Sequence, residues 1–70
     1  MKYRVLIEVD EDGIFCARIP ALPGCLSDGE TREEALANIR EAAELYIESL
    51  KKHGDPIPPG IHEEIVEVNV

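Results

Sequence analysis

Between Thr31 and Gly54 the chain carries one unbroken helical pattern, and everything else must be arranged around it. Apolar residues fall at Ala35, Leu36, Ile39, Ala42, Ala43, Tyr46, Ile47 and Leu50. Their spacing by threes and fours is the stripe of a helix with about 3.6 residues per turn. The opposite side holds Arg32, Glu33, Arg40, Glu41, Glu44, Glu48, Lys51 and Lys52. Thr31 and Glu34 form a capping box, in which the hydroxyl accepts from a backbone amide three residues on and the Glu side chain reaches back. Lys51, Lys52 and His53 close the helix against its negative dipole end. Gly54 supplies a left-handed stop, and Asp55-Pro56 prevents continuation. The helix is expected over residues 31–53.

A helix with one apolar edge needs a platform, and the remaining sequence offers strands. Residues 2–9 alternate, with Tyr3, Val5, Ile7 and Val9 facing one way and Arg4, Leu6 and Glu8 the other, the period of a half-buried strand. Asp10-Glu11-Asp12-Gly13 reads as a hairpin turn. A second strand is expected over residues 14–19, with Phe15, Ala17 and Ile19 sharing a face and Ile14, Cys16 and Arg18 the other. Pro20 and Pro23 remove two backbone donors, Gly24 turns the chain, and residues 25–28 make a short third strand. Residues 57–60 are a stiff connector, and residues 64–70 a last strand with Val66, Val68 and Val70 on one face. The expected fold class is α+β in the order β-β-β-α-β. A right-handed return of the last strand beside the first gives the sheet order 3-2-1-4.

Seventy residues allow one domain. Such a chain buries only about 60% of its unfolded surface, so its margin of stability is small. The sheet face that the helix cannot reach carries Leu6, Ile14, Cys16 and Ile65. Covering it in a homodimer or homotetramer is the expected supplement. Acidic residues number 15 against 7 basic ones, for a net charge of −8. That balance repels phosphate backbones and anionic lipid, which disfavours direct DNA or RNA binding, and it attracts basic partners. No apolar run spans a bilayer and the N-terminus is charged too early for a leader, so a cytoplasmic protein with reduced cysteines is expected.

Catalytic chemistry finds little support. Asp10 and Asp12 fit the turn, Glu63 and Glu64 stand near the end, and Glu41, Glu44 and Glu48 make an acidic helix stripe. Cys25 follows Gly24 at a turn where solvent could reach it, but a free cysteine is more often a buried small hydrophobe, and nothing basic adjoins this one to activate the thiol. His53 reads as a helix cap, and His62 has no companion. A two-metal nuclease would need converging carboxylates. Glu8, Glu64 and Glu67 do not supply them, because Glu64 and Glu67 alternate in direction. No cofactor and no metal are expected, and the chain is read as a non-enzyme.

The distinctive stretch is Pro20, Leu22, Pro23, Gly24 and Cys25, followed by Gly29, Thr31, Glu33, Glu34, Ala35 and Asn38. It resembles the HicB family of antitoxins, with a Pro-x-Leu-Pro-Gly-Cys turn and a Gly-x-Thr-x-Glu-Glu-Ala-x-x-Asn helix start. Gly54-Asp55-Pro56-Ile57-Pro58 is similar to that family's helix exit. The resemblance implies a partial ribonuclease-H-like fold without nuclease activity and a partner, a small basic mRNA-cleaving toxin of the HicA type. The toxin's active site and RNA-binding surface would be covered, with Glu8, Asp10, Asp12, Glu41, Glu44 and Glu48 as the candidate contact residues. Many family members append a DNA-binding segment. This chain ends at Val70 without a basic helix to enter a groove, and so resembles the short stand-alone form. A homo-oligomeric structural or small-ligand-binding domain is the alternative reading.

Overall fold

The structure, a computed structural model, describes residues 2–60 and 67–69. Three strands, β1 (Leu6–Val9), β2 (Phe15–Arg18) and β3 (Leu26–Gly29), precede one long helix, α1 (Arg32–His53). The strands form an antiparallel sheet in the order β1-β2-β3. β1 and β2 are shorter than the alternation predicts and β3 is shifted by one residue, although Tyr3 and Val5 still pack against the core ahead of β1. Val9 departs from the expected inward face and is exposed, because it sits at the hairpin end of the sheet. The expected fourth strand, and with it the order 3-2-1-4, lies outside the described residues except for 67–69, which belong to no strand.

The hairpin between β1 and β2 has a three-residue loop, Glu11, Asp12 and Gly13. The Asp10 amide donates to the Ile14 carbonyl at 2.9 Å, and Gly13 takes a left-handed φ of 79°. The Asp10 carboxylate accepts from the amides of Asp12 and Ile14, each at 2.9 Å, and so holds the loop shut. Such self-capping is why Asp favours turns.

Two fused turns make the Pro20–Gly24 motif. The Leu22 amide donates to the Ile19 carbonyl and the Cys25 amide to the Leu22 carbonyl, at 3.0 and 2.9 Å. Pro23 presets the second turn, and Gly24 at φ 83° supplies the positive angle that a type II turn requires. Leu22 is the residue common to both turns, and its side chain is fully buried. The motif therefore reverses the chain and plugs the core at once. Cys25 emerges from the same turn pointing inward, 4% exposed. Cys25 is thus the buried small hydrophobe that a free cysteine more often is, and solvent does not reach its thiol.

The core is Ala17, Ile19, Leu22, Cys25, Ala35 and Ile39. Its small members let α1 approach the sheet closely. Gly29 is where approach is tightest: a Cβ there would lie 2.5 Å from the Ala35 amide nitrogen. Thr31 caps the helix, its hydroxyl accepting from the Glu34 amide at 3.1 Å. Glu34 reaches back to the amide of Glu30 at 3.3 Å, one residue before the cap. At the other end Gly54, at φ 71°, and Asp55 return their amides to Lys51 and Leu50. His53 Nδ1 lies 2.8 Å from the Ser49 carbonyl. Beyond the helix the chain comes back to the start of β1. The Tyr3 hydroxyl donates to the Pro58 carbonyl, and Gly60 presses on the backbone of Lys2. The outcome is a plate of 47 × 35 × 16 Å, with helix on one side of the described sheet.

Candidate functional site

Sheet register decides which exposed residues stand together. Leu6 lies opposite Arg18, and Arg18 opposite Leu26. Glu8 lies opposite Cys16, and Cys16 opposite Asp28. Side chains alternate along a strand, so these six share one face. Ala17, pointing the other way, is buried under α1, which makes this the open face. The six line a concavity of about 400 Å³. One row is Leu-Arg-Leu and the next is Glu-Cys-Asp, so apolar, cationic and anionic groups meet across the three strands.

Leu6 and Cys16 occupy this face as expected, and Ile14 is half-buried just ahead of β2. Ile65 lies outside the described residues. Leu26, 66% exposed, and Asp28 are missed by the sequence reading, although their alternation with Cys25 and Ser27 carries the signal. β3 is only four residues long and offers little periodicity to read.

The six acidic candidates do not converge. Glu8 is on the open face. Asp10 and Asp12 are in the hairpin loop, and the Asp10 carboxylate is already engaged by two amides of that loop. Glu41, Glu44 and Glu48 are exposed on the flank of α1 away from Ala35 and Ile39. Because α1 covers the inner face of the sheet, that flank is on the other side of the plate from Glu8. No single flat interface takes in all six.

Desolvation by burial raises the pKa of the Cys25 thiol, which keeps it protonated and unreactive. Cys16 is the exposed thiol. Among the described residues no three His, Cys, Asp or Glu side chains are grouped to hold a metal ion. Of the carboxylates weighed for a nuclease, Glu64 lies outside the described residues. No helix among the described residues is long and apolar enough to cross a membrane.

A family model for the HicB-like antitoxin of bacterial toxin-antitoxin systems matches residues 3–69. This chain belongs to the HicB-like antitoxin family. Among its HicB-like relatives, a UPF0150 protein of Thermoplasma acidophilum is 57% identical over 65 residues, 93% of this chain and 94% of that protein. Antitoxin HicB 1 of Photorhabdus laumondii is 35% identical over 72 residues, 97% of this chain but 45% of that longer protein. The crystal structure of the N-terminal domain of Burkholderia pseudomallei antitoxin HicB matches with a TM-score of 0.73 and 29% identity, covering 99% of this chain and 71% of that one. Three antiparallel strands followed by one long helix are thus the HicB N-terminal fold, and the resemblance carried by residues 20–38 is confirmed.

Proposed function

We propose that this chain is an antitoxin that binds a small, basic, mRNA-cleaving toxin of the HicA type and silences it by covering its active site and RNA-binding surface. The family match over residues 3–69 carries this reading. Physical chemistry agrees with it. A net charge of −8 on so small a chain draws in a cationic partner and speeds their encounter. Carboxylates can occupy the positions on the toxin that RNA phosphates would take. The chain's own role is binding, without catalysis.

The test is co-expression with the HicA-type toxin from the same genome. The toxin alone arrests growth; with this chain present growth returns and a stable complex is isolated. If the pair neither associates nor restores growth, the reading is wrong.

A further inference from the structure

The open sheet face is a mixed surface, and its chemistry selects an occupant. Glu8 and Asp28 flank Cys16 across the sheet, about 10 Å apart at two strand spacings. None of Glu8, Arg18 and Asp28 makes an ion pair among the described residues. Leu6 and Leu26 stand at the two ends of the neighbouring row, with Arg18 between them.

We propose that this face receives the cationic partner, which seats one Lys or Arg over Cys16 between Glu8 and Asp28 and lays apolar side chains on Leu6 and Leu26. The proposal rests on the antitoxin reading and adds which side of the plate is used. The alternative side, the outer flank of α1, is convex. Its exposed large hydrophobic residue is Leu45 alone, beside Glu41 and Glu48. Interfaces gain their strength from apolar anchors in a desolvated hollow, with charge on the rim. The open face offers two leucines and three charged groups around a concavity, and the helix flank has charge without a hollow.

Symmetry argues against a second copy as the occupant. An isologous pair lays a face on itself through a two-fold axis. An axis along β2 sets Arg18 on Arg18 and Glu8 on Asp28 of the other copy. An axis across the strands between the two rows sets Leu6 on Glu8, Leu26 on Asp28 and Arg18 on Cys16. A diagonal axis through the centre of the face sets Glu8 on Glu8 or Asp28 on Asp28. Each of these three centred arrangements brings like charges together or leaves charge against apolar groups, and buried unpaired charge is strongly unfavourable.

The experiment titrates the HicA-type toxin, rendered inactive, into this chain by calorimetry. The double variant E8K/D28K lowers affinity roughly 100-fold, whereas E41K/E48K changes it less than about threefold. In a second readout the wild-type Cys16 thiol is labelled by iodoacetamide, and complex formation suppresses that labelling. Weakening by E41K/E48K with E8K/D28K unaffected, or unchanged Cys16 labelling in the complex, overturns the assignment while the antitoxin reading stands. No binding by the wild-type chain overturns both. A concentration-dependent dimer in sedimentation that L26D abolishes hands the face to a second copy and overturns it as well.

Discussion

The side-chain amide of Asn38 donates a 2.8 Å hydrogen bond to the backbone carbonyl of Asp28, tying the second turn of α1 to the free edge of β3. The Ile19 amide donates to the Cys25 carbonyl, so alternate residues of β3 turn their polar groups towards β2. Asp28, three residues from Cys25, faces outward. Asn38 therefore occupies an edge carbonyl that would otherwise be a template for strand addition. Replacing Asn38 by Ala is expected to remove about 0.5–1.5 kcal/mol of stability in urea denaturation. Slow aggregation, followed by light scattering, should accompany it. Unchanged stability and unchanged scattering would show that the bond is incidental.

Gly29 has no room for a methyl group. Its Cβ would meet the Ala35 amide nitrogen and the Glu34 carbonyl carbon, both backbone atoms that cannot swing aside. Gly29→Ala should destabilise the fold by about 1–3 kcal/mol through forced separation of β3 from α1. A urea midpoint equal to that of the wild type is the result that contradicts this.

Leu22 joins two turns and fills the core with no exposed surface. Leu22→Ala should lose about 2–5 kcal/mol. Against a total of about 5 kcal/mol for a domain this small, that leaves about 0–3 kcal/mol and a clearly lowered melting point. Circular dichroism at 222 nm, where α1 dominates, is the measurement. A helical signal of wild-type strength and melting point would refute the role given to the plug.

Burial raises the pKa of Cys25 above that of a free thiol. As pH rises through the ordinary thiol range, about 8.5, the unfolded chain releases the thiol proton first, so the unfolded state binds fewer protons and stability falls. Below about pH 8 the thiol contributes no slope. Urea midpoints should be level in this respect through neutrality and decline above pH 9, and Cys25→Ala should lessen that decline. In the native protein iodoacetamide should label Cys16 first, and Cys25 only on unfolding.

The helix was readable because its signals are local: a capping residue, a periodic stripe, a cationic last turn and Gly54 lie within the segment they define. The inward face was equally plain from Val5, Ile7, Ala17 and Ile19. The open-face cluster was not, because neighbours across a sheet depend on register. A two-residue loop at Asp12-Gly13 would pair Glu11 with Ile14 and set Glu8 against Ala17, a surface residue against a core one. The observed loop is one residue longer, and it sets Glu8 against Cys16. Its geometry is fixed by the Asp10 carboxylate, a single side chain whose bonds no periodicity announces. The direction of Cys25 was hidden for a related reason. It follows from the φ angles of the double turn and not from the order of residues.

The short hairpin loop also governs how the fold is reached. β1 and β2 meet across three residues, β2 and β3 across the double turn, and Asn38 reaches back only ten positions to Asp28. Each closure is a small entropic step, and lengthening a loop twofold adds only about 0.6 kcal/mol. The exception is the segment ahead of β1, where the Tyr3 hydroxyl bonds the Pro58 carbonyl 55 positions on. The sheet and the rod can zip together in chain order, as soon as the residues that form them have left the ribosome.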